Sequence, residues 1–411
     1  MHLNNNFIAT IYLFSCGAKG MDPLVEGNEF DYKEIYKIAK EQGVWETVFL
    51  SYIKIYNKHP DIITEDTFKR LHSEFMMKCG VQYRRYDFIH NLLKKLDDCN
   101  IKACVLKGES IARFYDTPIA RVSSDVDILI EPHKVDLCLK TMRDLGFEIG
   151  EKNYESHQIE CTHPIAGLVE IHTMMYGKKT EDVCFNNEVK YNEDYVEVKA
   201  EDGTSYKTLG ITDNFIFIFL HFIKHFLSFG VGIRQLEDVL IYTEKNYETI
   251  DWERVSALFK KLGFEKIFKC VIAIGKKYFS FPENLFDSYI VNDSLVEQVF
   301  DDMMQGGVFG HNDTSRQGFY ELYLTERYKK IQNKDYAVYK NKRKLTRLFP
   351  NRKFMSVNFP YVKKSVLLMP IAWIHRIILG IFKSKSKSKT TIETNQEHQK
   401  RLTLMKELGM L

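Results

Sequence analysis

From residue 31 onward the apolar positions recur at helical spacing. In DYKEIYKIAKEQGVWETVFLSYIKIY, Ile35, Ile38, Ala39, Val44 and Val48 fall near one stripe. HSEFMMKCGVQYRRYDFIHNLLKKLDDCN predicts a second, longer amphipathic helix with Asn100 as its stop. Beyond residue 101 the period changes. IKACVLKG predicts a short strand, ESIARFY a helical turn or more, and DVDILI a strand. HKVDLCLKTMRDLG predicts a helix ending at Gly146, and LVEIHT another strand. Alternation of strands and helices indicates an α/β unit. DYVEVKAEDGTSYKTLG predicts a hairpin turning at Asp202-Gly203. After Gly210 helical patterns return in TDNFIFIFLHFIKHFLSF, IRQLEDVLIYTEKN, DWERVSALFKKLG and EKIFKCVIAIGKKYF.

The two ends break the pattern. NFIATIYLFSCGAKG is a short apolar run with only His2 ahead of it, and Met21 opens a more ordinary sequence. It reads as an extension, disordered or upstream of a second start, rather than as a lipoprotein signal. Near the other end KNKRKLTRLFPNRK is basic, and VLLMPIAWIHRIILGIF is apolar but holds Pro370, His375 and Arg376. That segment is a poor membrane span. It reads as a helix packed on the body, with contact to an anionic membrane surface through its flanking lysines as the alternative. KSKSKSK reads as disordered. There is no internal repeat. The chain thus divides into 1–30, 31–98, 99–210, 211–340 and 341–411.

Composition narrows little. Of 411 residues 45% are hydrophobic and 27% charged, with a net charge of +3. That is ordinary for a globular protein and too weak to imply a nucleic-acid partner. Eight cysteines without regular spacing read as free thiols in a reducing compartment, the cytoplasm.

The chemistry is concentrated in LKGESIARFYDTPIARVSSDVDILI, residues 106–130. Alternate residues of a strand share a face, so Asp125 and Asp127 stand together while Val126, Ile128 and Ile130 point inward. Two close carboxylates repel unless water or a divalent cation separates them, and Mg²⁺ prefers such oxygens. An Asp-x-Asp pair is common on solvent-facing edges, so three further features carry the reading. VEIHT sets Glu170 and His172 opposite Val169 and Ile171, which offers a third carboxylate for a two-metal site. Gly108 ends a strand and opens a helix, letting backbone amides approach a phosphate. Lys107 and Arg121 can neutralise phosphate oxygens, Arg121 in a bidentate manner unless it is the structural partner of Asp116.

This order resembles the DNA polymerase β-like nucleotidyltransferase superfamily, and within it the uncharacterised nucleotidyltransferase family. The resemblance rests on Leu106-Lys107-Gly108, Tyr115, Arg121, Asp125-Val126-Asp127-Ile128-Leu129 and Glu170-Ile171-His172. It extends to His221, Lys224, His225, Arg234 and Asp238, to the Trp252 segment DWERV and to IAKEQGV. It implies an α+β fold, with a small mixed-sheet core (99–210) flanked by N-terminal helices and a C-terminal helical domain (211–340). It implies transfer of a nucleoside monophosphate from a nucleoside triphosphate to a hydroxyl acceptor, with two Mg²⁺ ions on Asp125, Asp127 and Glu170. Lys107, Gly108, Ser110, Arg121, Lys224, His225 and Arg234 would hold the nucleotide and its phosphates.

Two departures stand out. Glu109 occupies the place after the turn glycine where many relatives have Ser, and it fits beside a triphosphate only if it turns away or pairs with Lys107. Glu170 stands where Asp is common, one methylene longer. His221, Lys224 and His225 share a helix face, and Arg234 with Asp238 reads as an i,i+4 pair. His172 reads as a supporting residue rather than a base. The rival readings are an inactive nucleotide-binding scaffold and an Asp-x-Asp glycosyltransferase; the latter lacks a nucleotide-binding α/β region ahead of the acids.

Overall fold

A computed structural model describes residues 5–24, 30–150, 158–176, 194–200, 203–228, 230–306, 318–332, 349–350, 359–363, 365–385 and 390–411, with positions 185, 189, 316, 352, 355 and 356. The chain opens with α1 (Asn5–Lys19), in which Ile11, Leu13, Phe14, Cys16 and Ala18 are buried. It lies tightly against α3 (Trp45–Lys58). A Cβ on Gly17 would fall 2.0 Å from the Thr47 carbonyl oxygen, and Ser51 Oγ donates to Leu13 O at 2.6 Å. Ser15 Oγ donates to Phe279 O at 2.6 Å, and Lys19 pairs with Glu244 at 2.8 Å. A disordered extension is therefore wrong for these residues. The run is apolar because it is core, each large side chain contributing about 1.5–3 kcal/mol by burial.

The stripe from Ile35 to Val48 is buried throughout, but Gly43 at φ +64° divides it into α2 (Tyr32–Glu41) and α3. The long helix α4 (Glu65–Asp98) is capped by Thr64, and Asn100 ends it in the left-handed region at φ 56°.

The fold is α+β, built on a seven-stranded mixed sheet of order β3-β4-β5-β2-β1-β7-β6. The strands are β1 (Cys104–Val105), β2 (Asp125–Leu129), β3 (Glu148–Ile149), β4 (Gln158–His163), β5 (Gly167–His172), β6 (Tyr195–Lys199) and β7 (Ser205–Leu209). β2 runs antiparallel to β1 and parallel to β5. One face packs Val126, Ile128, Val169 and Ile171 against Ile89, Leu92 and Leu96 of α4 and Cys138, Leu139 and Met142 of α6 (Val135–Asp144). The other face carries the acids. Gly203 of the β6–β7 hairpin takes φ +82°, as a tight turn requires, while Asp202 lies outside the described residues. Strands β3 and β4 were absent from the sequence reading, although Ile159 and Cys161 alternate inward between Gln158, Glu160 and Thr162.

After a four-residue α5 (Glu109–Ala112), the remaining helices form a second layer with α1–α3: α7 (Ile211–Ser228), α8 (Ile233–Asn246), α9 (Trp252–Leu262), α10 (Glu265–Tyr278), α11 (Asp293–Gly306) and α12 (Phe319–Gln332). Phenylalanines interlock at its centre, with Phe219–Phe259 ring centroids 4.5 Å apart and Phe259–Phe268 5.3 Å.

The segment read as one tail splits. α13 (Met369–Lys385) packs on a small separate cluster with Met355, Phe359 and Val362. In α14 (Thr390–Glu407), Leu404 and Met405 enter the main core, and Arg401 pairs with Asp302 at 3.2 Å. Of the Lys-Ser run expected to be disordered, residues 383–385 instead form the end of α13. Residues 386–389 of the Lys-Ser run and 340–348, 351 and 353 of the basic stretch lie outside the described residues.

Candidate active site

The period of β2 and β5 sets the site. Asp127 and Glu170 are register partners on these parallel strands, as are Leu129 and His172, so three polar side chains leave the same sheet face. Ligand atoms of Asp127, Glu170 and His172 lie within 4.8 Å of one another. His172 Nε2 is 2.8 Å from Asp127 Oδ1 and 3.6 Å from Glu170 Oε2. Asp127 is 1% exposed, too buried to be an incidental surface acid. Burial alone would raise its carboxyl pKa, but the Lys107 charge and the His172 hydrogen bond outweigh it and hold the group ionised. Burial likewise opposes charge on His172, yet its bonds to Asp127 and Glu170 raise its pKa. His172 thus contacts both acids from the strand that carries Glu170.

Gly108 takes φ +75°, ψ −107°, a conformation reserved for glycine, and packs beside Asp125 O and Ser123 Oγ. The turn delivers Lys107 to the acids, with Nζ 3.1 Å from Asp125 Oδ2 and 3.0 Å from Asp127 Oδ2. Glu109 does turn away. Its carboxylate meets His90 of α4 at 2.7 Å, not Lys107. Ser110, expected at the phosphates, is fully buried and does not line the cleft.

Arg121 differs from expectation in its partner. Its Nε donates to Asp238 Oδ1 at 2.7 Å and its Nη2 to Oδ2 at 2.6 Å, while Nη1 donates to Gly108 O at 3.2 Å. Tyr115 Oη donates to the same Asp238 at 2.8 Å. The guanidinium is committed to pinning the Gly108 turn to α8, and Asp116 is not its partner. Asp238 accordingly does not pair with Arg234, which lines the cleft and donates to Val122 O. Arg85 escaped notice in the sequence. From α4 it donates to Ser123 O, Ser124 O and Leu168 O, fastening the start of β2 to β5. The signal was a polar residue in the apolar stripe that includes Cys79, Ile89 and Leu93.

From α7, His221 and His225 meet Nε2 to Nε2 at 2.9 Å. Burial first, then the nearby Lys107 charge, lowers both; His225 falls to about 4 and His221 well below its ordinary value, so both are neutral. Two cavities flank the acids. One is bounded by Gly108, Ser124, Asp125, His225 and Arg234; the other by Glu170, His172, Met175, Tyr176, Lys224 and Tyr320. Lys107, Phe217 and His221 border both. Lys224 therefore lines the cavity of Glu170 rather than that of the Gly108 turn.

The donor set suits a hard divalent cation. Asp127 Oδ2 is buried with no hydrogen-bond partner among the described residues and only the Lys107 charge beside it, and Glu170 stands on the adjacent strand.

An acidic pair and a third acid on neighbouring parallel strands, beside a glycine turn on a mixed sheet, define a nucleotidyltransferase. The family model described as an uncharacterised nucleotidyltransferase matches residues 28–280, and the chain belongs to that family. No curated protein matches the chain. Among solved structures, ANT(2″)-Ia in complex with adenylyl-2″-tobramycin is 12% identical, covering 43% of this chain and 97% of its own, at a TM-score of 0.32. An antigenic nucleotidyltransferase-like protein from Paracoccidioides brasiliensis is 13% identical, covering 50% and 97%, at 0.30. A tRNA nucleotidyltransferase complexed with a primer tRNA and an incoming ATP analog is 12% identical, covering 71% and 99%, at 0.21.

Proposed function

We propose that the protein transfers a nucleoside monophosphate from a nucleoside triphosphate to a hydroxyl group of an acceptor and releases pyrophosphate. The observation that carries this is the register pairing of Asp127 with Glu170 on the wall of one cavity, which adjoins at Lys107 a second cavity lined by Asp125 and Gly108. In this reading residues 99–210 form the catalytic unit, and α7 and α8 of the 211–340 region wall the nucleotide.

Asp125, Asp127 and Glu170 would hold magnesium. Bound there, it supplies positive charge against the α-phosphate and the entering and departing oxygens. The triphosphate lies on the Gly108 side, where the turn exposes backbone and Arg234 and Lys107 supply positive charge. The acceptor enters on the Glu170 side. Glu170 takes the hydroxyl proton as the oxygen bonds to the α-phosphorus and the bond to pyrophosphate breaks. His172 fixes the Asp127 carboxylate through its 2.8 Å hydrogen bond. Neutral His221 and His225 add no competing charge beside Lys107. Arg121 acts through the turn it anchors, not on phosphate.

The free cysteines among the described residues and a nucleoside triphosphate substrate fit the cytoplasm. Incubating the protein with each nucleoside triphosphate, Mg²⁺ and a small-molecule acceptor panel tests the reading. Pyrophosphate release that needs both Mg²⁺ and Asp127 supports it, and release unchanged in Asp127→Asn contradicts it.

A further inference from the structure

α13 carries a run of exposed aliphatic side chains on its outward surface. Met369 and Ala372 face the small cluster with Met355, Phe359 and Val362 and are 7% and 0% exposed. Trp373 Nε1 donates to Pro350 O at 2.9 Å from the same side. The outward stripe is aliphatic. Leu367, just ahead of the helix, is 86% exposed, and Ile371, Ile374 and Ile378 are 57%, 59% and 44% exposed. Their spacing of four, three and four residues lays them along one line, with Val366 and Ile377 exposed beside it. Scattered exposed hydrophobics need no explanation, but a continuous stripe on one helix marks a contact.

The charge around this stripe is segregated. Residues 340–389 hold fourteen of the chain's 58 lysines and arginines and no acidic residue, so the rest carries 44 basic against 55 acidic residues. The near-neutral total thus conceals a basic segment on an acidic body. Four of these lysines, at 383, 385, 387 and 389, follow the aliphatic stripe in the sequence.

We infer that α13 lies in the plane of an anionic lipid bilayer, with its isoleucine stripe among the acyl chains and the basic charge of the surrounding sequence favouring that surface. No helix among the described residues is long and apolar enough to cross a membrane, so an in-plane pose is the one this segment supports. Basic charge alone would suit nucleic acid equally well. The aliphatic stripe decides between them, since a phosphate backbone offers exposed isoleucines nothing. The inference does not depend on the reaction proposed above.

Co-sedimentation of the full chain with vesicles tests it. Vesicles with 30% phosphatidylglycerol should bind at least ten-fold better than pure phosphatidylcholine, and binding should weaken between 0.05 and 0.5 M NaCl. Ile371→Asp with Ile374→Asp should abolish binding. Both sites are exposed, so the melting temperature should stay unchanged and separate this result from misfolding. Replacing lysines 383, 385, 387 and 389 by Gln should reduce binding to phosphatidylglycerol several-fold. Absence of vesicle binding, or binding indifferent to the isoleucine changes, overturns the inference. Retention of tRNA or duplex RNA by the aspartate double variant, without vesicle binding by the wild type, assigns the basic segment to nucleic acid instead.

Discussion

Lys107 Nζ lies 3.0 Å from Asp127 Oδ2 while bridging to Asp125 at 3.1 Å, so one lysine is shared by both acids of the pair. Burial opposes charge on this lysine, but the two carboxylates outweigh it and raise its pKa. A divalent cation arriving at these oxygens competes with the ammonium. Lys107→Met leaves Asp125 without its lysine and Asp127 with His172 alone, at a cost of about 3–5 kcal/mol without metal. Thermal melts should show a lower Tm in EDTA and a larger Mg²⁺-induced rise than in the wild type. Equal Mg²⁺ shifts in both proteins would mean that lysine and metal do not share the site.

Arg121 ties the Gly108 turn to α8 through the bidentate pair with Asp238. A lysine cannot reproduce that fork. Arg121→Lys should cost about 2–4 kcal/mol, read in denaturant unfolding, because Asp238 is left buried and underpaired. If Arg121 instead gripped phosphate directly, Arg121→Lys would raise the KM for nucleotide with stability unchanged.

Gly108 at φ +75° permits no ordinary side chain without strain. Gly108→Ala should destabilise by about 1–2 kcal/mol and cut turnover by more than the stability loss explains, since the turn carries Lys107. Turnover and Tm both within error of wild type would remove the turn from the mechanism.

Glu237 of α8 is 0% exposed, and its carboxylate has no hydrogen-bond partner among the described residues. Lys19, Glu244 and Asp238 are its charged neighbours, and burial raises its pKa to about 8. The folded state therefore keeps a proton that the unfolded state releases near pH 4.5. Stability should fall as pH rises through this window and level off above pH 8. Glu237→Gln carries no such proton, so its Tm should exceed that of the wild type by a few degrees at pH 8.5 and match it near pH 4.5. A difference independent of pH would show that Glu237 is not held neutral.

Local periodicity made much of the site legible. The alternation in Asp125–Leu129 and in Leu168–His172 was enough to set Asp127, Glu170 and His172 on one face. Partners distant in sequence were not legible. Asp238 stands 117 positions from Arg121, and no spacing rule links them, so a nearer acid, Asp116, was the natural alternative. Glu109 looked misplaced beside a triphosphate until His90 of α4 turned out to hold it. The N-terminal run was read as an extension because its packing partners, among them Ser51 of α3 and Phe279, lie far along the chain. β3 pairs over only two residues, too short for any period to register.

Label transfer tests the central claim most directly. The protein is incubated with Mg²⁺, a pool of small hydroxyl acceptors, and nucleoside triphosphate labelled at either the α- or the γ-phosphorus. Label from the α-position should enter an acceptor product, label from the γ-position should appear only in pyrophosphate, and both signals should vanish in EDTA and in Asp127→Asn. Transfer of the γ-label to the acceptor, or α-label incorporation that survives Asp127→Asn, would contradict the account.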